Sequence, residues 1–380
     1  MRWLAALLTS LLASALLAGS AHAYTVNSRF GSGCHEYITA QTVLLLLEEL
    51  QEGLAPDFAV PRDRVTQAFM KEVPNRLPQS ATSLTEVQRF LLLSVLIGVR
   101  HPDTDGHSLA NLHAMRNLHG NPEDKSQYIH ALRGKNDDFH EGDRAAVAGT
   151  RQAIRAAIAL AWSPPAEASA RTHRVKVYVD FYGRVDVTVH RAAFHVGLAL
   201  HTLQDSFSHT LRSDADGLRS IVTVLNYIDA IAPDFDERRD GLAHSVTLDD
   251  CFHPAAAELT EAAIQASYEL ILALQSADPE VALEDFFDTW LSLREGCTLA
   301  NEFCDNRRWL DLARREQTEP FLDDFFGCQQ VRGGTQRGGW LALLLLGAWR
   351  LGRRLRRATP PLPGAARPQG DQRRRGCRGS

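Results

Sequence analysis

Several absences narrow the reading of this chain before any motif does. It contains no Cys-x-x-Cys pair, which counts against a zinc-thiolate site. Residues 24–328, about 305 in all, hold no internal repeat and no Pro/Ser-rich linker, so they read as one large domain. Aromatic residues make up only 8% of the chain, too few for a long base-stacking groove. Positive charge is scarce outside the C-terminus. The whole chain carries −5, and the segment from Arg332 onward holds twelve Arg against one Asp371, so residues 1–331 carry −16. A body that acidic is poorly suited to nucleic acid, whose binding relies on Lys and Arg neutralising phosphates.

Long apolar runs are missing from the C-terminal segment too. Trp340 to Trp349 gives ten residues, or about 15 Å of helix, half of a bilayer core of about 30 Å. This is a poor permanent anchor. At the other end, Arg2, the apolar stretch Leu4 to Leu17 and Ala21-His22-Ala23 have the order of a secretory signal peptide. Cleavage after Ala23 would make Tyr24 the mature N-terminus. Export predicts a disulfide-permissive compartment.

Gly327-Cys328, a Gly-rich spacer, the apolar run and the cluster Arg350 to Arg357 follow one another near the C-terminus. That order resembles the tripartite sorting tails of the MYXO-CTERM kind and implies surface sorting. The alternative is a plain tail anchor with basic residues held inside. Residues 329–358 are assigned to this tail, and 359–380 to a disordered basic remainder. Setting aside Cys328 and Cys377 leaves Cys34, Cys251, Cys297 and Cys304, which allow three pairings. The short Cys297–Cys304 loop favours that pair, leaving Cys34 for Cys251.

Periodicity predicts a mostly α fold with one inserted β-hairpin. Helices are expected at Leu44 to Leu50, Ser83 to Val99 (opened by a Ser83-x-x-Glu86 capping box), Glu141 to Trp162, His190 to Leu211, Leu218 to Ile231, Ala255 to Leu274 and Val281 to Leu293. Residues 174–189 alternate Val with polar residues on either side of Tyr182-Gly183, a hairpin pattern. Residues 100–140 lack periodicity yet hold His101, His107, His113, His119, His130 and His140.

The chemistry concentrates in FHVGLALHTLQDSFSHTLR, where His201, Asp205 and His209 recur every four residues. On a helix that spacing climbs about 6 Å per step along one slowly rotating stripe. Imidazole nitrogen and carboxylate oxygen are zinc ligands, and a carboxylate with two oxygens can bridge two metals. The neighbours Phe194, Val196, Leu198, Leu200 and Leu203 point the stripe toward an interior. A buried helix with satisfied histidines is the competing explanation. His195, on the same helix, reads as a core or supporting group.

The segment VGLALHTLQD resembles the central metal helix of the zinc-dependent phospholipase C family, whose α-helical fold also houses single-strand nucleases. The resemblance implies two to three zinc ions, with His201 on one and Asp205 bridging to a second. It implies roles for Tyr24, as terminal amine and carbonyl, and for His35 in Gly33-Cys34-His35-Glu36, just before the first long helix. Asp103, after Ile97-Gly98-Val99-Arg100-His101-Pro102, would be the first carboxylate ligand and would orient or deprotonate the attacking water. His130 in Gln127-Tyr128-Ile129-His130-Ala131-Leu132-Arg133 would share a zinc with Asp103, His201 and Asp205. His107, His113 and His119 compete for that place, and Glu36 could orient an imidazole.

The chain departs from the family at the outermost zinc. His209 follows Asp205 by four residues rather than six. The usual late His and Glu pair has only His244, with Asp249 or Asp250, as its nearest counterpart. The expected function is an exported, surface-associated zinc phosphodiesterase acting on phospholipid, attached to a membrane through its C-terminal tail. The alternatives are a nuclease or nucleotidase on the same fold, and a non-catalytic surface protein with a structural or decayed zinc cluster.

Overall fold

Two glycines set the geometry of the centre. Gly98 and Gly197 lie where helices α3 (Glu86–Thr104) and α5 (Arg191–Ser208) cross. A Cβ on Gly98 would stand 2.1 Å from the Phe194 carbonyl oxygen, and one on Gly197 would stand 2.4 Å from that of Val95. Only the missing side chains let the two backbones touch. The crossing brings the last turn of α3, with Asp103, against the middle of α5, with His201 and Asp205.

This is a computed structural model. It describes residues 33–49, 58–73, 84–108, 125–134, 139–162, 171–179, 182–226, 236–245, 247–297 and 306–318, with 111, 113, 114, 118 and 304. All of them belong to one compact unit, Met1–Leu322. The signal peptide, Tyr24, His119, Cys328 and the sorting and basic tails lie outside the described residues.

The protein is mostly helical, as the periodicity predicts. Besides α3 and α5, the helices are α1 (Cys34–Glu49), α2 (Arg64–Glu72), α4 (Phe139–Trp162), α6 (Ala257–Leu274), α7 (Pro279–Trp290) and α8 (Arg307–Thr318). A 3-10 segment covers Lys125–His130, and a single helical turn covers Glu237–Asp240. Helix α5 is central: α3, α4, α6 and α1 all pack on it. Its buried Leu200, Leu203 and Phe207 meet Val99, Ile154, Leu270 and Phe287 in one core cluster. A second cluster packs Val175, Val177, Val187 and Val189 of the hairpin on Phe90, Leu93 and Ile97 of α3.

The hairpin forms as its alternation requires. Strands β1 (Thr172–Val179) and β2 (Gly183–His190) pair antiparallel, with Val175 opposite Val187 and Val177 opposite Val185. Both favoured disulfides are present, Cys34–Cys251 and Cys297–Cys304.

Several expected boundaries move. Helix α1 begins at Cys34, so His35 and Glu36 stand in its first turn rather than ahead of it. Helix α3 starts at Glu86, and its capping box is Thr85 with Gln88, not Ser83 with Glu86. Helix α5 stops at Ser208, with His209 as its cap, and a short strand β3 (Thr210–Arg212) follows. The expected helix from Leu218 is instead strand β4 (Ile221–Val224), paired with β3 in a second two-stranded sheet. Its Ile-Val-Thr-Val sequence is β-branched throughout, which stiffens χ1 and suits a strand over a helix. Helices α2 and α8 were not anticipated from the pattern.

Candidate metal centre

Three helices and two irregular segments deliver side chains to one buried place. Helix α5 presents His201 and Asp205 one turn apart. The last turn of α3 supplies Asp103, the first turn of α1 His35, and the end of the 3-10 segment His130. His209 at the end of α5 joins His244 and Asp249 from the loop beyond the Glu237–Asp240 turn.

Asp205 divides its two oxygens between different partners. Oδ1 lies 3.0 Å from His35 Nε2. Oδ2 lies 3.1 Å from both His130 Nδ1 and His201 Nε2. Asp103 divides the same way: Oδ2 is 3.7 Å from His35 Nε2, and Oδ1 is 3.8 Å from His130 Nδ1 and from His201 Nε2. Two carboxylates therefore face one imidazole on one side and two on the other. In the third group, Asp249 Oδ1 is 3.2 Å from His209 Nε2, and Oδ2 is 2.9 Å from His244 Nε2. The two imidazole nitrogens there are 3.2 Å apart.

Three buried His/Asp groups that can each hold a metal ion result: His35, His201 and Asp205; Asp103, His130 and His201; and His209, His244 and Asp249. No backbone amide, hydroxyl or guanidinium of the described residues answers the side-chain oxygens of Asp205 and Asp249. Asp205 Oδ1 and both oxygens of Asp249 are buried beside imidazoles, yet in no hydrogen-bonding geometry. Buried carboxylate oxygens are costly in that state. Lone pairs converging from several sides suit a cation, and the donors are oxygen and imidazole nitrogen throughout.

The far side of three rings is anchored, as ligand histidines require. His201 Nδ1 donates to the Val99 carbonyl at 2.8 Å, a contact that depends on the glycine crossing. His209 Nδ1 donates to the His130 carbonyl. His35 Nδ1 donates to Gln204 Oε1 at 2.9 Å. Each ring thereby turns Nε2 toward the carboxylates.

Electrostatics follow from burial and crowding. Burial holds His130 and His201 down at about 4, so both are neutral, the form that ligates metal. Burial opposes charge on His35 as well, but the Asp205 carboxylate, with Asp103 behind it, overrides that and raises it to about 9. Asp103 is raised well above the usual carboxylate range by burial, with the neighbouring carboxylates Asp205, Glu36 and Asp249 adding to it. Asp205 is held well below that range: burial works against its charge, but His201 and His35 outweigh it.

The structure thus brings together His35, Asp103, His130, His201, Asp205, His209 and His244. Asp249 rather than Asp250 completes the last group, since Asp250 accepts from the Phe252 amide instead. His107 and His113 belong to none of the three groups, and His113 is exposed. His195 stacks on His173 with ring centres 6.0 Å apart. Glu36 is buried with Oε1 3.9 Å from Arg100 Nε, not against an imidazole ligand. Gln204 and the Val99 carbonyl were not singled out in the sequence. The His-x-x-Gln-Asp spacing, which puts positions 201, 204 and 205 on one helix face, is the signal that could have found Gln204.

Fold and site together define a class: a mostly helical, disulfide-bonded protein with a buried His/carboxylate centre able to hold metal ions. Comparison with known proteins finds no matching family model, no similar curated protein and no similar solved structure.

Proposed function

We propose that the chain is an exported zinc-dependent phosphodiesterase of the phospholipase C kind, acting on phospholipid and held at the cell surface through its C-terminal tail. One observation carries the reading: Asp205 turns its two oxygens to different histidines, with Asp103 doing the same opposite it. Bridging carboxylates of this kind suit two adjacent cations. The two disulfides support an oxidising compartment.

His35 with Asp103 and Asp205 would hold one zinc, His130 and His201 with the other oxygens of those carboxylates a second, and His209, His244 and Asp249 a third. Clustered zinc, when bound, lowers the pKa of a bound water toward 7 and neutralises phosphoryl charge. The chain's own work is orientation and proton movement. Asp103, facing the same imidazoles from opposite Asp205, would orient the attacking water and take its proton. The water oxygen would bond to phosphorus as the bond to the glycerol oxygen breaks; that oxygen would leave as an alcohol with a proton from solvent, and Asp103 would return the water's proton to solvent. Burial around α5 keeps His130 and His201 neutral.

A structural role for the cations is the second reading, and one observation favours it. His35, His201, Asp205 and His209 have no exposed surface, and structural sites are closed whereas catalytic ones keep an open position.

The test is metal content of the purified chain together with hydrolysis of phosphatidylcholine vesicles, a soluble phosphodiester and single-stranded DNA, each with and without chelator. Bound zinc with chelator-sensitive lipid turnover is expected. Turnover on DNA alone would move the substrate to nucleic acid. Bound zinc with no turnover, and unfolding on chelation, would favour the structural reading, and absence of bound metal would remove both.

A further inference from the structure

Three imidazoles of the centre are held from behind, and the three holders differ in kind. Val99 and His130 use backbone carbonyls, which no substitution removes. Gln204 uses a side chain, so it is the one of the three that substitution can change. It is fully buried on α5, between the cluster and helices α1 and α6.

The direction of its amide follows from its neighbours. The Ser267 hydroxyl on α6 donates to the Ala263 carbonyl at 2.7 Å, so its proton is committed. Toward Gln204 it can only accept, and Gln204 Nε2 reaches it at 3.5 Å and Thr39 Oγ1 on α1 at 3.0 Å. With the NH2 group turned that way, Oε1 must face His35 Nδ1, 2.9 Å away. An amide oxygen only accepts. A proton is thereby held on His35 Nδ1, so Nε2, 3.0 Å from Asp205 Oδ1, is the nitrogen left for a cation to take.

We propose that Gln204 is the positioning residue of this centre: it fixes the His35 tautomer and so presents Nε2 to the cation shared with Asp205. The inference rests on the reading of the cluster as a metal centre. A chain of orientation runs from the Ala263 carbonyl through Ser267 and Gln204 to His35, tying the first turn of α1 to α6 through α5. A neutral amide does this without adding another negative charge where Asp103, Asp205, Glu36 and Asp249 already crowd together.

The experiment compares the full chain with Gln204→Leu, which keeps the volume but accepts nothing, and Gln204→Glu, which keeps an acceptor. Zinc affinity is read by chelator competition, and the His35 Nδ1–H by nitrogen-15 NMR of the zinc-loaded protein, where a cation on Nε2 leaves the ring that single N–H. Gln204→Leu is expected to weaken one zinc equivalent by about ten- to a hundredfold, the usual cost of losing such a support. The His35 Nδ1–H signal should be lost with it, whereas Gln204→Glu, whose carboxylate still accepts from Nδ1, should keep that signal and lose less affinity than Gln204→Leu. Unchanged affinity and tautomer in Gln204→Leu would overturn this inference and leave the metal centre standing. Equal losses in both variants, together with a lower melting temperature of the metal-free protein, would make Gln204 a packing residue and also overturn it. A parent chain that binds no zinc would overturn the metal reading first, and this inference with it.

Discussion

Two buried carboxylates within the same fold behave in opposite ways. Asp143 of α4 is saturated with donors: its oxygens accept from the Val224 amide at 2.8 Å and the Thr223 hydroxyl at 3.1 Å, and meet Arg133 at 3.4 Å. Asp205 is surrounded by imidazoles, and its Oδ1 makes no hydrogen bond at all. Burial is alike, since both are nearly inaccessible. A carboxylate used for structure consumes its lone pairs, whereas one used for ligation aims them at a shared point. Arg212 is the cationic counterpart of Asp143. It is fully buried and donates to the carbonyls of Ser206, Leu218, Arg219 and Trp290 while lying on the Phe207 ring.

The sharpest way to break the comparison is Asp205→Asn. Two unit charges 4 Å apart already interact by about 4 kcal/mol at an effective dielectric of 20, and neighbouring dications repel more strongly. Removing the bridging charge is therefore expected to release at least one zinc and abolish turnover while the helical circular dichroism persists. Elemental analysis beside an activity assay checks this, and full metal content would reduce the stripe to ordinary helix packing.

Asp143→Asn should do the reverse. It removes the carboxylate charge that the buried Arg133 guanidinium meets, a loss typically costing about 3–5 kcal/mol of stability. Metal per folded molecule should stay the same. Urea melts and metal analysis on one preparation decide it, and a zinc deficit would place Asp143 in the centre after all.

The smallest effect belongs to His195, held at about 4 by burial, with His173 and Arg191 nearby adding to it. Because its folded-state value lies below the unfolded one, protonation favours the unfolded chain. Its contribution is complete above about pH 6.5 and is lost as pH falls toward 4. His195→Ala should retain all bound metal and show a shallower fall of melting temperature across that window. A steeper fall, or lost zinc, would contradict it.

Much of the fold could be read along the chain where a pattern repeats. Val175, Val177, Val187 and Val189 declare the hairpin by alternation, and the four-residue spacing of His201 and Asp205 declares one face of α5. Pairing of Cys297 with Cys304 followed from their short loop. Where a segment was short, pattern failed. Ile221–Val224 sits in an apolar stretch long enough to be taken for a helix, and its β-branched residues become a strand by pairing with Thr210–Arg212. Asp249 and Asp250 are adjacent and chemically identical, and only the fold turns one toward His209 and His244.

By itself the sequence determined the residue types of the centre and the helix that carries its middle, and favoured the short-loop cysteine pair, because each is a local spacing or a count. Tertiary structure decided what no local spacing encodes. The contact of Gly98 and Gly197 sets how near α3 comes to α5, and hence that a backbone carbonyl, Val99, orients His201. The same packing sets which oxygen of Asp205 meets which imidazole. Distance and direction between segments far apart in the chain arise only when the helices pack, since burial, not sequence proximity, brings them together.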